Sequence, residues 1–157
     1  MILWRLSAAR HAKEALSGEG AALRGGRWNS RGIKAVYASL DPATTVLEAL
    51  TTFDAALVPA GGYRLLKLVV PEVAEIIEPA LAEFPRGWAD WERPDAARAY
   101  GDAFLKSGRG LVLIVPCAAL PQAKNALISL AHPRAREIAV AESFPFEFDP
   151  RWPLKRG

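Results

Sequence analysis

The sequence contains few of the residues that form disulfides or metal sites. Its 157 residues include one cysteine, Cys117, and two histidines, His11 and His132. One thiol cannot form a disulfide within the chain, and these three residues make a poor set of metal ligands. We therefore expect a metal-free, cytoplasmic protein.

Long hydrophobic runs are also absent. No apolar segment approaches the roughly eighteen residues that a membrane-spanning helix requires. The apolar start of the chain is interrupted at Arg5, which is too early for a signal peptide. With 51% hydrophobic and 24% charged residues, the composition is that of an ordinary globular protein, and we expect one domain over residues 1–157.

Several well-known nucleotide-binding and hydrolase motifs are missing. The chain has no Gly-x-x-x-x-Gly-Lys-Ser/Thr loop, no Gly-x-Gly-x-x-Gly after a strand and no Gly-x-Ser-x-Gly elbow. Cys117 and His132 would be the thiol and the base of a cysteine protease. A small buried cysteine and a histidine before Pro133 are the more common explanation of these two residues.

Positive charge is concentrated near the N-terminus. Residues 1–34 carry seven Lys or Arg against two glutamates, a net charge of +5, whereas the remainder carries −2. A duplex-binding protein usually spreads basic residues along one face and is basic as a whole. The asymmetry therefore favours a local anion site, and we expect no direct binding of nucleic acid.

A glycine-rich segment contains three of these basic residues. Arg24, Arg27 and Arg31 surround two glycines, and guanidinium groups and exposed backbone N–H groups both bind phosphate oxygens well. The segment therefore predicts a site for a phosphorylated ligand. A solvated surface loop is the alternative. Trp28 favours a loop that is packed against the domain, because so large an aromatic side chain tends to be buried.

Hydrophobic periodicity and the positions of glycine and proline predict an α+β domain with one mixed sheet. Apolar patterns predict strands at 2–6, 34–40, 63–71, 73–77 and 111–115, with one or more late strands within 125–130 and 137–148. Helical patterns lie at 9–16, 42–56 and 94–107, whereas 17–32 and 79–93 are predicted to be irregular. The uninterrupted apolar run at 111–115 predicts a central strand that is buried on both faces.

The helix predicted at 42–56 carries a glutamate whose environment decides its role. Asp41 is the expected N-cap and Pro42 the first helical residue. Val46, Ala49 and other apolar residues share one face, and Glu48 lies nearly opposite that face. Periodicity alone therefore places Glu48 in solvent, and a catalytic role requires a cleft on that side of the helix.

Short motifs spread over nearly the whole chain form an ordered set. They are Trp4-Arg5, Gly26-Arg27-Trp28-Asn29 with Gly32, Val36-Tyr37-Ala38-Ser39, Leu47-Glu48, Val115-Pro116, Asn125-Ala-Leu-Ile-Ser with His132-Pro133, and Phe148-Asp149-Pro150-Arg151. The set resembles the RES domain. This resemblance implies the fold of an ADP-ribosyltransferase and the toxin half of a bacterial toxin–antitoxin pair that consumes NAD+. It also implies a partner, an Xre-like DNA-binding antitoxin that covers the active site.

The resemblance also assigns roles to individual residues. It implies that Glu48, Arg27 and Tyr37 are catalytic, and that NAD+ is bound by Arg5, Arg27, Tyr37 and Cys117. The need of a pyrophosphate for guanidinium groups adds Arg31 to the residues that we expect to bind NAD+. Cys117 departs from the family, in which this position is serine. A thiol is larger than a hydroxyl and forms weaker hydrogen bonds, so NAD+ binding would survive while turnover slows.

The chemistry of these residue types agrees with that assignment. Cleavage of the nicotinamide–ribose bond builds positive charge on the sugar, which a carboxylate such as that of Glu48 stabilises. The acceptor of ADP-ribose stays open among water, phosphate and a protein side chain. Two other functions also remain open: a ribonuclease toxin, and a non-catalytic domain that binds NAD+ or another anion.

Overall fold

In a computed structural model, which describes residues 1–52, 62–149 and 151–152, the chain forms a mixed β-sheet with a few helices. The strands are β1 (Ile2–Ala8), β2 (Ala35–Ser39), β3 (Tyr63–Val69), β4 (Ile76–Ile77), β5 (Val112–Pro116), β6 (Lys124–Ser129) and β7 (Ala139–Phe146). The α-helices are α1 (Glu19–Arg24), α2 (Pro42–Thr52) and α3 (Asp95–Ser107), and short 3₁₀ helices cover Ala9–Glu14, Leu81–Glu83 and Pro133–Glu137. None of the described helices is long and apolar enough to cross a lipid bilayer.

The strand order across the sheet is β4-β5-β6-β2-β1-β3-β7. The β4–β5 pair is parallel and the other pairs are antiparallel, which confirms the predicted α+β class with a mixed sheet. β5 is buried along its whole length, as predicted, because its side chains belong to two apolar clusters, one of which includes α3 residues. It lies inside the sheet, between β4 and β6, and is second from one edge.

The sheet is weakly joined between β1 and β2. In the described part of the chain, β1 pairs with β3 at seven successive positions but with β2 at one, Trp4 opposite Ser39. The two strands therefore part from each other on either side of that pair. This opening in the sheet positions the site described below.

The N-terminus of α2 confirms the predicted cap. The backbone N–H of Thr44 donates to Oδ1 of Asp41 at 2.8 Å, and the Thr44 hydroxyl donates to Oδ2 at 2.6 Å. These hydrogen bonds lower the pKa of Asp41 below its usual range. The helix is described as far as Thr52, and the predicted end near residue 56 lies outside the described residues.

Two predicted segments need correction. The segment 17–32 is not a continuous loop, because α1 forms within it between Gly18 and Gly25, whose φ angles are +70° and +73°. The helix-forming residues between these glycines complete one short helix. The strand predicted at 73–77 is shorter in the structure, where β4 covers its last two residues, Ile76 and Ile77.

Candidate active site

A cleft of about 900 Å³ lies where β1 and β2 part. Its walls come from these two strands, from α2 and from the glycine-rich segment around residues 20–28. Arg27, Tyr37 and Glu48, which come from three different elements, all line it. Periodicity alone predicted that Glu48 points into solvent. This prediction is wrong, because the side chain is half-buried on the cleft side of α2.

The Glu48 carboxylate is held by an asparagine that our sequence analysis did not select as a site residue. The Asn125 side-chain amide donates to Oε1 of Glu48 at 2.6 Å, and its own oxygen accepts a hydrogen bond from the Ser39 hydroxyl at 2.7 Å. Ser39 and Asn125 are both buried and lie opposite each other in the β2–β6 pair. With its oxygen and nitrogen both engaged, the amide has a defined orientation.

Cys117 lies behind Glu48, immediately after β5. The side chain is fully buried, while its neighbours Pro116 and Ala118 line the cleft. Burial raises the pKa of the thiol, and the neighbouring Glu48 carboxylate raises it further. The thiol therefore stays protonated at neutral pH and lies beside Glu48, whereas we expected it to contact the ligand.

Tyr37 forms part of a buried hydrogen-bond network at the base of the cleft. Its hydroxyl donates to Oδ1 of Asn29 at 2.7 Å and accepts a hydrogen bond from the Trp28 backbone N–H at 3.0 Å. Burial raises the pKa of Tyr37, so the phenol stays neutral. A Cβ atom on Gly26 would lie 2.5 Å from this hydroxyl, so residue 26 must be glycine for the network to form.

Arg5 occupies the gap between β1 and β2. Its Nη1 donates to the Tyr37 carbonyl oxygen at 2.6 Å, while its Nε is enclosed and has no hydrogen-bond partner among the described residues. Burial lowers the pKa of Arg5 to about 10, which still leaves it charged at neutral pH. A half-buried cation with an enclosed, unused donor beside a cleft is suited to an anionic ligand.

Arg27 joins the glycine-rich segment to the segment that follows the second 3₁₀ helix. Its Nη1 donates to the carbonyl oxygens of Trp88 and Asp90, at 3.1 and 3.0 Å. The same side chain also lines the cleft. Arg27 therefore fixes a neighbouring loop and adds positive charge to the cleft wall.

The other two arginines of the segment lie differently from what we expected. Arg31 is exposed, its Nε donates to the Arg24 carbonyl oxygen at 3.4 Å, and it does not line the cleft, whereas Arg24 does. The Gly26 backbone N–H donates to the Asn29 carbonyl oxygen at 2.9 Å, and this turn separates the two arginines. Of the arginines that we predicted to bind phosphate, Arg5 and Arg27 therefore line the cleft and Arg31 does not, whereas Arg24, which we did not select, does.

Helix α3 holds the glycine-rich segment against the domain. The Nε of Arg98 donates to the Gly26 carbonyl oxygen, and the Asp102 carboxylate accepts hydrogen bonds from the backbone N–H and hydroxyl of Ser30. Trp28 is 2% exposed, which confirms that it packs the segment against the domain. For this part of the segment, the alternative of a solvated loop is wrong.

Comparison with known proteins identifies the family of this chain. The sequence matches the RES domain over residues 2–149. The chain belongs to the RES-domain family. One relative, the Prs ADP-ribosylating toxin of Sphingobium sp. (strain YBL2), is 32% identical to this RES domain, and the match covers 94% of each chain. Toxin Res of Photorhabdus laumondii subsp. laumondii is 31% identical, with 82% of this chain and 81% of the relative covered.

A solved structure supports the fold of the RES domain. A chain of the M. tuberculosis MbcT–MbcA toxin–antitoxin complex superposes with a TM-score of 0.73, and the match covers 92% of this chain and 83% of the other. The sequence identity is 22%, so this similarity establishes the fold alone.

The charges in the cleft of this RES domain form two groups. One is the Glu48 carboxylate with its donor Asn125 and the neighbouring Cys117 thiol, and the other consists of the guanidinium groups of Arg5, Arg24 and Arg27. The described part of the chain contains no group of three or more His, Cys, Asp or Glu side chains that could hold a metal ion. The arrangement can bind an anionic ligand and place a fixed carboxylate beside it.

Proposed function

We propose that this RES-domain protein is a toxin that binds NAD+ in the cleft and transfers its ADP-ribosyl group. The observation that carries the proposal is the Glu48 carboxylate, held at 2.6 Å by Asn125 in the same cleft as three guanidinium groups. A pyrophosphate needs such cations, and a sugar that is losing its base needs a fixed negative charge. We place the activity in the cytoplasm, where NAD+ is present.

The reaction breaks the bond between C1′ of the ribose and the ring nitrogen of nicotinamide. The electron pair of that bond leaves with nicotinamide, and the sugar gains oxocarbenium character. The Glu48 carboxylate stabilises this positive charge or holds the ribose hydroxyls, while the flat ring of Tyr37 supports the nicotinamide. A nucleophilic atom of the acceptor then bonds to C1′, and the acceptor loses a proton.

A protein side chain is the acceptor that we favour. The support is the name of the 32% identical relative, a Prs ADP-ribosylating toxin. Water and phosphate are the other two acceptors. Incubation with labelled NAD+ and candidate protein acceptors, Prs among them, distinguishes the three by whether the label appears on protein, as free ADP-ribose or as ADP-ribose phosphate.

The proposed partner is an Xre-like antitoxin that covers the cleft. The support for a partner is that the structural neighbour was solved as a toxin–antitoxin complex. An occluding protein would block NAD+ entry and so suppress toxicity. Co-expression should therefore restore growth and prevent nicotinamide release by the purified complex.

The decisive experiment measures nicotinamide release from NAD+ by the purified chain and by Glu48→Gln. We expect the variant to fold normally and to lose about 100- to 1,000-fold in kcat, since it removes the charge that stabilises the transition state. Glu14→Gln, at an exposed glutamate of the first 3₁₀ helix that does not line the cleft, is the matched control and should retain full activity.

Other outcomes of this experiment would contradict the proposal. Undiminished release by Glu48→Gln would show that this carboxylate is not catalytic. NAD+ binding without release by the unmodified chain would favour a non-catalytic binding domain. RNA cleavage with steeply salt-dependent RNA binding and no NAD+ binding would favour a ribonuclease toxin.

A further inference from the structure

Trp91 has a large exposed aromatic surface inside the cleft. It is 77% exposed, yet it lines the same cleft as Arg24, Arg27 and Glu48. The other aromatic residues at the cleft are less accessible: Trp28 is almost fully buried, and Trp4 and Tyr37 are half-buried. Trp91 is therefore the aromatic side chain of the cleft that offers most surface to a ligand.

The backbone on both sides of Trp91 is fixed. On one side, Nη1 of Arg27 binds the carbonyl oxygens of Trp88 and Asp90. On the other, the Asp90 carboxylate accepts hydrogen bonds from the backbone N–H groups of Glu92 and Arg93, at 2.9 and 3.0 Å. A ring that is presented by a fixed backbone loses less conformational entropy when it binds a ligand.

The attachment of this loop to Arg27 indicates which part of a dinucleotide would meet the ring. NAD+ has its pyrophosphate in the middle, the nicotinamide ribose on one side and the adenosine on the other. Glu48 marks the reactive ribose, and Arg24 and Arg27 are the pyrophosphate ligands of the proposed function. Since Arg27, one of these phosphate ligands, holds the Trp91 loop, the ring is expected on the side of the phosphates.

We propose that Trp91 stacks on the adenine ring of NAD+ and is the main source of affinity for the adenosine half. This inference rests on the proposed function. A purine and an indole offer two large flat faces, and such stacking needs no hydrogen bonds to the base. The Arg27 side chain then has two tasks, to bind phosphate and to hold the stacking residue in place.

The test compares two mononucleotides that share a phosphate and a ribose but differ in the base. Binding of AMP and of nicotinamide mononucleotide is measured by calorimetry for the purified chain, Trp91→Ala and Trp91→Phe. We expect Trp91→Ala to weaken AMP binding by about 5- to 150-fold and Trp91→Phe to recover most of the loss. Binding of nicotinamide mononucleotide should not change.

Leu81→Ala, at another exposed apolar residue of the 79–93 segment that does not line the cleft, is the control and should bind AMP normally. Unchanged AMP binding by Trp91→Ala would overturn the inference, and so would a loss confined to nicotinamide mononucleotide. NAD+ binding is measured in the Glu48→Gln background, in which it is not consumed. If NAD+ binds equally well to the proteins with and without Trp91, this inference alone is overturned. If no variant binds NAD+, the proposed function is overturned with it.

Discussion

At the scale of single residues, the orientation of the Glu48 carboxylate depends on two neighbours. Asn125 donates from a fixed amide, and the buried, protonated Cys117 thiol lies beside the carboxylate. Both neighbours favour one position of the carboxylate within the cleft. A carboxylate that stabilises a developing cation must be in place before the bond breaks, so its neighbours matter to the rate.

We predict that Asn125→Ala slows turnover without weakening NAD+ binding in proportion. The variant removes a hydrogen bond to a charged group, worth about 1.5–3 kcal/mol, which corresponds to roughly 10- to 150-fold in kcat. Steady-state kinetics of nicotinamide release would show the fall in kcat with KM for NAD+ nearly constant. An increase in KM alone would instead place Asn125 in ligand binding.

Cys117→Ser is the matched control for that experiment. Its hydroxyl can still donate to Glu48, and donates more strongly than a thiol, so activity should be preserved or raised. The loss of stability that an unpaired buried hydroxyl would cause, about 1–3 kcal/mol, is not expected here because Glu48 accepts the hydrogen bond.

The sequence predicted part of this site. The motifs identified Arg27, Tyr37 and Glu48, and all three line the cleft. Asn125 was missed although it begins one of the motifs, because its contact with Glu48 depends on how β6 pairs with β2. Arg24 and Arg31 have the same side chain and flank the same glycines, so sequence alone could not tell which of them faces the cleft.

At the scale of the elements, α2 is the support of the Glu48 carboxylate. It begins at a cap formed by Asp41 and Thr44, and the Thr45 hydroxyl donates to the Trp4 carbonyl oxygen of β1 at 3.2 Å. Thr44, Thr45 and Ala49 are its buried residues. The small size of these buried side chains lets the helix lie close to the strands at the cleft.

We predict that Asp41→Ala destabilises the protein by roughly 0.5–2 kcal/mol at neutral pH, the usual value of such a cap. Folding lowers the pKa of Asp41, so the ionised carboxylate stabilises the folded state. This stabilisation is fully present above the pKa of the unfolded chain, about 3.9, and is lost as the pH falls through the lower pKa of the folded state. Denaturant unfolding at several pH values would show the difference from the unmodified protein shrinking in acid.

Asp41→Asn is the control, because an asparagine cap is about as good and does not titrate. The stability of Asp41→Asn should be close to that of the unmodified protein at neutral pH. It should not show the fall in acid that protonation of Asp41 causes in the unmodified protein. A loss of stability in Asp41→Ala that stayed constant down to strongly acidic pH would contradict the role given to the ionised carboxylate.

Elements with clear local signals were predicted well. α3 begins after Pro94 and ends at Gly108, which has a φ angle of +62°, and β5 is the expected buried run. The helix α1 was missed because glycines surround and interrupt it, and glycine disfavours helices by local propensity alone. Its backbone ends are tied by other contacts, such as that of the Gly32 N–H with the Ala22 carbonyl oxygen at 2.8 Å.

At the scale of the whole molecule, ligand binding and folding stability are linked. We predict that NAD+ at 100 times its Kd raises the free energy of unfolding by about 2.7 kcal/mol. For a chain of this size the melting temperature should rise by roughly 5–10 °C. Thermal unfolding of Glu48→Gln with NAD+ measures this increase while the ligand is not consumed.

Nicotinamide alone is the control for that measurement, because it lacks the phosphates that Arg5, Arg24 and Arg27 are proposed to bind. It should leave the melting temperature nearly unchanged. An equal increase with nicotinamide and with NAD+ would contradict the role of the arginines.

The class of fold was predictable from the order of the elements, but the strand order was not, because contacts distant in sequence decide it.

The opening between β1 and β2 divides the sheet into two halves that are interleaved along the chain. One half contains β1, β3 and β7, and the other contains β2, β4, β5 and β6, so the chain passes repeatedly from one half to the other. Neither half is a continuous segment that could fold by itself. The hydrogen bond that fixes the Glu48 carboxylate likewise joins residues 77 positions apart. Contacts so distant in sequence form slowly, so we expect the cleft to be completed late in folding, and a partly folded chain to carry Glu48 and the arginines before they are brought together.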